Sequence, residues 1–577
     1  HFAALSRDGK LLWERSLVEE FGLVTTHGGR TVSPVIEGEL VITSGVTTGW
    51  GAQSRALHRF LAFDKKTGLA IWVSSPGGRP FDTTYAPPVV SLIDGVRLFI
   101  SGGGDGAIHA LKIWTGEPAW KFEMAKRGIN TGVVVNGSTA IVSHSEENLD
   151  SSEMGLLAAL DAGSRGPIPA SQVKWAVKGF QGGFSSAVLD GGRLYQIDNG
   201  ANLFAFDAAT GKELWRQNLG TIQKASPVFG DGKLYVGTEN GKFFILRPGA
   251  SRAEILDEDS LEPIIGSAAI SDGRLFVAST EALYCIGKKS VTKAAPPGAP
   301  VASGGPPAHL QVTPTELILK PGERVRFHAR LFDPKGNFLR EEPAAWTLEQ
   351  LRGTIQPDGE YRASDDPVAQ AGQVKASAGS LQGAARVRVI PPLPVSETFD
   401  GGLPAHWINA AGKFAARDLE GNKILVKLAD NPFTKRARAF LGAPEWSDYT
   451  VEADVRALEK RRQMGDGGVV AGRYSLVLFG NHQRLELQSW QPETERTVTA
   501  AFAWKPDVWY RLKLRVDNLP GGGVRVRGKA WPASDPEPSA WTLERTDAIG
   551  NRQGSPGLYA DAPFEVYFDN LKVTRNQ

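Results

Sequence analysis

The side chains able to do chemistry are few and scattered. Histidines stand at 1, 27, 58, 109, 144, 309, 328, 406 and 482. None has a partner at the i, i+4 spacing that puts two imidazoles on one metal ion. Two polar stretches, Thr47–His58 and Ser143-His144-Ser145-Glu146-Glu147, read as insertions between strands, where binding loops concentrate. Trp50, and Trp490 in Ser489-Trp-Gln-Pro492, sit in loops where an indole could stack on a sugar. The one cysteine, Cys285 in Leu283-Tyr-Cys-Ile286, rules out an internal disulfide framework and a thiolate-rich metal site. Its apolar neighbours predict a small buried hydrophobe. Gly102-Gly-Gly-Asp-Gly106 lacks the Lys-Ser/Thr that follows a phosphate loop, so a tight hairpin is expected.

Carboxylates and cations concentrate in patterned stretches. Asp64, Asp161 and Asp207 recur at one place in a repeated unit, just ahead of a turn. A carboxylate repeated in this way reads as a turn-capping side chain, not as a unique catalytic base. Near the C-terminus, Arg511, Lys513 and Arg515 alternate with Leu512 and Leu514, and Arg525, Arg527 and Lys529 alternate with Val524 and Val526. If the two strands are neighbours, six cations share one face, and either interleaved acids or an anionic partner must offset them. Glu452 and Asp454 lie two apart on one strand face, and Glu486 joins them if its strand pairs there. Glycosidases hold two carboxyls either about 5–5.5 Å or roughly 6.5–9.5 Å apart. Nothing in the sequence forces that geometry, so sugar binding without hydrolysis is the expectation, with the basic row favouring an acidic glycan.

These groups are carried on strands. The chain has 577 residues, too many for one ordinary core, with 66 Gly, 36 Pro and 15 Trp. Lys and Arg total 65 against 63 Asp and Glu, which excludes a chain-wide nucleic-acid footprint. No apolar run approaches the length of a membrane span. One phrase repeats through the first half: a short alternating strand, a Gly-containing turn, a second strand. It appears at Ser33-Pro-Val-Ile36 before Glu37-Gly38, at Val89–Leu92 before Asp94-Gly95, and at Ser185–Leu189 before Asp190-Gly191. Ser226-Pro-Val228 before Asp231-Gly232 and Ser267–Ile270 before Asp272-Gly273 continue it. Asp-Gly between apolar alternations is a hairpin signal.

A second phrase follows each copy. Phe60-Leu-Ala-Phe-Asp64 leads through Thr67-Gly68 to Trp72, and Leu203-Phe-Ala-Phe-Asp207 through Thr210-Gly211 to Trp215. Trp120 follows Thr115-Gly116, Trp13 follows Asp8-Gly9, and Trp175 closes a longer variant. Intervals of 59, 48, 55 and 40 residues between these tryptophans suit four short strands per repeat, the period of a propeller blade. A four-stranded sheet cannot bury both faces alone, so Trp13, Trp72, Trp120, Trp175 and Trp215 are expected to dock blade on blade.

Ala-Phe-Asp-Lys-Lys-Thr-Gly-Leu-Ala-Ile-Trp (62–72) and Ala-Phe-Asp-Ala-Ala-Thr-Gly-Lys-Glu-Leu-Trp (205–215) resemble the repeat of pyrroloquinoline-quinone-type propellers. That superfamily includes quinoprotein dehydrogenases and the lipoprotein of the outer-membrane assembly machinery. The resemblance covers about residues 1–289 and implies a β-propeller. The first unit lacks two strands before His1, so blades are expected upstream or the ring is smaller. Residues 290–308, rich in Pro and Gly, read as a linker. Residues 309–392 hold short strands with Trp346 as a core aromatic and resemble a bacterial immunoglobulin-like domain. Residues 395–577 alternate as half-buried strands, Tyr449–Val455 among them. Their opening Glu397-Thr-Phe-Asp400 and closing Val566–Val573 resemble a laminin-G/concanavalin-like jelly roll. By that resemblance Asp400 and Asp569 are candidate ligands of a structural calcium ion.

The expected fold is therefore all-β: a multi-bladed propeller, an immunoglobulin-like sandwich and a concanavalin-like sandwich. The leading functional expectation is a non-catalytic scaffold or binding protein, contacting a protein partner or an acidic glycan and no nucleic acid. No organic cofactor is expected. A periplasmic or extracellular location, with peripheral or lipid-anchored envelope association, follows from the resemblance alone. The alternatives are a quinone-dependent oxidoreductase and a carbohydrate-binding or carbohydrate-processing protein acting through the last domain.

Overall fold

The computed structural model describes residues 1–24, 32–287, 304–428, 436–489 and 493–577. Most of the expected linker, His27 and Trp490 fall outside these residues. The described chain is almost entirely β, with one short α-helix, α1 (Leu17–Phe21). No helix among the described residues is long and apolar enough to cross a membrane.

Up to residue 287 the chain folds into consecutive sheets of antiparallel strands, with Gly166–Pro167 added in parallel at the edge of one. A two-stranded piece (Phe2–Leu5, Leu11–Arg15) is followed by four-stranded runs within 35–74, 89–123, 134–178, 188–218 and 228–260, and by a three-stranded sheet within 269–287. Each follows the order of the sequence, as expected where each tight turn returns the chain beside its predecessor. Asp94, Asp231 and Asp272 adopt positive φ in these turns, the conformation that Asp-Gly tolerates.

Contacts between sheets use one device. The indole N–H of Trp13 donates to the Lys65 carbonyl at 2.9 Å, that of Trp72 to Ile113 at 2.9 Å, and that of Trp120 to Ala162 at 2.9 Å. Trp175 donates to Ala208 at 3.2 Å and Trp215 to Gly249 at 3.1 Å. Lys65, Ala162 and Ala208 each follow the repeated aspartate, and Asp64 and Asp207 fold that turn by accepting from the backbone and hydroxyl of Thr67 and Thr210. Each tryptophan thus docks on the turn of the next sheet. The Thr-Gly glycine is required by its neighbour: a Cβ on Gly116 would lie 2.6 Å from the Trp72 ring, and one on Gly211 would lie 2.4 Å from that of Trp175. Three serines also link successive sheets. Ser186 Oγ accepts from Gly132 N, Ser226 Oγ from Ser186 N and Ser267 Oγ from Ser226 N.

The middle segment, 309–389, packs short sheets around Phe327, Tyr361 and Val387, with Trp346 half-buried at the margin of this core. Its strand Glu316–Leu319 runs parallel to Leu381–Val389 and bridges to Ala70 of the 35–74 sheet, so one eight-stranded sheet spans both. From 395 onward an eight-stranded sheet, which includes the short strand Val395–Glu397, and a six-stranded sheet face each other over the largest core. There Tyr449, Val451, Ala453 and Val455 point inward as the alternation requires.

Three expectations are corrected. Cys285 is exposed: it lies on the last strand of the three-stranded sheet, where Leu283 and Ile286 are 71% and 51% exposed, so its apolar neighbours bury nothing. Ser143–Glu147 is no loop but the end of the strand Thr139–Glu147, with His144 buried. Glu486 lies on Arg484–Ser489 in the six-stranded sheet, away from Glu452 and Asp454 in the eight-stranded one, and pairs with Arg484.

Gly116→Ala is expected to lower the thermal transition, at a cost of about 2–4 kcal/mol from a strained positive φ and the displaced Trp72 ring. Gly191→Ala, equally left-handed but facing open space, should cost about 1 kcal/mol; equal losses would remove the docking role. Cys285 should react with a thiol reagent in the native protein to one equivalent, and a requirement for denaturant would contradict its exposure.

Candidate functional site

The most elaborate polar construction lies where the three parts of the chain meet. α1 starts at Ser16, whose Oγ accepts from Glu19 N, while Glu20 Oε1 accepts from Ser16 N. Leu17 and Phe21 pack on Val41, Leu61 and Phe63 of the adjacent sheet. This leaves Glu19 aimed at the C-terminal sandwich, where it is fully buried. Arg473 meets it at 3.0 Å and the Ser555 amide donates to it at 2.9 Å. Glu20 takes Arg15 at 2.5 Å. Burial pushes the Glu20 carboxyl up from its ordinary value, against the opposing pull of Arg15.

The Thr47–His58 segment serves the same junction. Trp50 is buried, which corrects its reading as an exposed sugar-stacking residue. Its indole donates to Glu316 at 2.7 Å, and the Arg386 guanidinium lies 3.9 Å over its ring while bonding Glu316 at 3.0 Å. Thr48 donates to Asn409 at 2.5 Å, and Lys413 donates to the same oxygen. Burial pushes Lys413 down to about 7. Glu117 pairs with His309 at 3.2 Å and Lys112 at 3.3 Å. Burial opposes its ionisation, but His309 and Lys112 outweigh it and hold the carboxyl down to about 2. Between the middle segment and the sandwich opens a cleft of about 520 Å³, with Lys320, Glu323, Glu445, Trp446 and Arg575 in its walls.

The basic row lies on the eight-stranded sheet of the sandwich, and its two strands do pair, placing Lys513 opposite Lys529 and Arg515 opposite Arg527. Acids are interleaved. Asp454 takes Arg511 through two bonds of 2.7 and 2.8 Å. Glu452 and Glu537 flank Lys513 at 3.1 and 3.0 Å, and Glu537 also takes Lys529 at 2.7 Å. Asp517 joins Arg515 at 2.9 Å and Arg527 at 3.1 Å. Of the six, Arg525 alone makes no ion pair to a described residue. Five of the six cations are therefore paired by acids of the sheet and of the connection that carries Glu537.

Asp569 accepts from Asn422 at 2.8 Å and from the Asn570 amide at 2.8 Å, and Asp400 accepts from Thr398 at 2.8 Å. Among the described residues no three or more His, Cys, Asp or Glu side chains gather in a way that could hold a metal ion. His58, His109 and His144 are buried, and His109 pairs with Asp105 at 3.0 Å. The hairpin role expected of residues 102–106 is what they perform.

A family model described as outer membrane protein assembly factor BamB matches residues 153–248. No curated protein matches. Among solved structures, BamB from Moraxella catarrhalis is 18% identical, covering 48% of this chain and 72% of its own, with a TM-score of 0.35. The computationally designed Ika8 protein is 11% identical over 59% of this chain and 98% of its own, at 0.34. A chain titled mitotic checkpoint complex is 12% identical over 48% and 77%, at 0.33.

Arg473→Ala strands a buried Glu19 carboxylate and is expected to cost about 3–5 kcal/mol, read as a lower denaturation midpoint, with Glu19→Gln plus Arg473→Leu recovering part of the loss. The Glu117 carboxyl is depressed on folding, so its contribution is complete above about pH 4.5 and is lost as pH falls through about 2. The denaturation midpoints of wild type and Glu117→Gln should accordingly converge between pH 5 and 2, and a constant gap would contradict the pairing.

Proposed function

We propose that the chain is a non-catalytic extracytoplasmic scaffold or binding protein: propeller blades joined to an immunoglobulin-like and a concanavalin-like sandwich, with ligand or partner contacts made by exposed sheet faces. One observation carries the reading. The most heavily invested polar side chains, Glu19, Arg473, Glu316 and Arg386, are spent on joining the parts of the chain to one another. Their bonds are intramolecular and buried, which is how a frame is held and not how a substrate is turned over. The family model matching residues 153–248 is described as an assembly factor of the outer membrane, which supports an envelope setting and partner binding.

The experiment is native purification of the tagged chain from envelope and secreted fractions, followed by mass determination and an absorption spectrum. A stoichiometric protein or glycan companion is the expected result. A bare monomer carrying a quinone chromophore and reducing a dye would overturn the proposal in favour of an oxidoreductase.

A further inference from the structure

The outer face of the eight-stranded sandwich sheet carries an arrangement that the ion pairs above do not use up. Three strands lie side by side there: Val566–Arg575, Tyr449–Ala457 and Tyr510–Asn518. Their register sets Asp569 opposite Asp454 and Asp454 opposite Arg511, and the next strand puts Trp531 opposite Arg511. One straight row across four strands therefore reads carboxylate, carboxylate, guanidinium, indole. Asn422 reaches into it from a fifth strand to bond Asp569, and Asn570, held at φ 50°, turns its amide onto Asp454 at 2.8 Å.

Beside the row, Asn422, Asp454, Asp569 and Asn570 line an open groove of about 500 Å³ together with Trp509, Val508 and Ala533. Trp509 is half-buried, packed on the small apolar cluster of Ile424, Val426 and Tyr567 with the Arg456 guanidinium 5.9 Å from its ring centre, and it lines the groove. A flat aromatic next to planar amides and carboxylates suits a sugar ring. The C–H face of a pyranose is apolar and stacks on an indole, while its hydroxyls both donate and accept, and Asp and Asn supply acceptors and donors in fixed planes. Charge decides which sugar. The Arg511 guanidinium is engaged by Asp454 through two bonds, Asp569 makes no ion pair among the described residues and accepts only from Asn422 and Asn570, and both carboxylates line the groove. An anionic glycan would meet uncompensated negative charge, contrary to the acidic glycan expected from the basic row.

We propose that this groove binds a neutral carbohydrate, with Trp509 as the stacking platform and Asn422, Asn570, Asp454 and Asp569 as the hydrogen-bonding wall. The inference rests on the reading of the chain as a binding protein and names the ligand class of one face. It leaves open whether a protein partner binds elsewhere, so its failure does not remove that reading.

The test is calorimetric titration of the full chain with cellohexaose, laminarihexaose and mannohexaose, and with hexagalacturonate as the anionic counterpart. Binding of at least one neutral hexasaccharide and none of hexagalacturonate is expected, with a change in tryptophan fluorescence on saturation. Trp509→Ala should weaken that binding about tenfold or more. Because Trp509 also packs on the sheet, the exposed Asn422→Ala serves as the variant that leaves the fold intact, and a loss of about threefold to tenfold is expected. No binding of any neutral probe by the folded wild type, preference for hexagalacturonate, or undiminished binding by both variants would each overturn the proposal.

Discussion

A carboxylate with no exposure to solvent is the constraint around which this molecule is arranged. Glu19 cannot be hydrated where it lies, and an uncompensated buried charge costs more than most single contacts return. It is met by a guanidinium and an amide from a sandwich more than 450 residues further along the chain. Satisfying Glu19 fixes where α1 sits against that sandwich. Trp50 and Glu316 do the same for the middle segment, and the bridge from Glu316 to Ala70 continues one sheet across that boundary. The parts of the chain are thereby set at defined positions relative to one another, which a binding frame needs and a string of independent modules lacks.

The repetitive half solves an easier version of the same problem. Each sheet has apolar faces that it cannot cover alone, and each covers its neighbour with a tryptophan whose N–H finds a carbonyl on the next turn. Repetition makes this legible: the Ser, Asp, Thr-Gly and Trp positions recur, so their structural role can be read from spacing alone. In the sequence each Thr-Gly leads to the tryptophan of its own unit, whereas the contacts give that glycine to the preceding sheet's tryptophan. Spacing within a repeat cannot distinguish these, because both sheets carry the same phrase.

What escaped the sequence has a common physical cause. Trp50 looks like a loop residue until Glu316 and Arg386, some 270 and 340 positions away, are folded onto it. Cys285 sits in an apolar string, but burial is a property of the sheet's neighbours and not of the string. Glu486 alternates correctly on its own strand and still belongs to the other sheet, since alternation fixes a face without fixing a partner strand. The basic row shows the converse. The requirement for interleaved acids followed from like-charge repulsion alone, and Asp454, Glu452, Glu537 and Asp517 supply them. Only the register of the sheet shows that Asp569 stands opposite Asp454, and that both carboxylates line one groove with Trp509.

The central claim, that buried charge fastens the parts into one frame, is tested most directly by scanning calorimetry of the whole chain with and without the Glu19–Arg473 contact. The account predicts that in the wild type the N-terminal sheets and the C-terminal sandwich melt in one coupled transition, and that Arg473→Ala splits it into separate, earlier ones. Independent transitions already present in the wild type and unmoved by Arg473→Ala would contradict it.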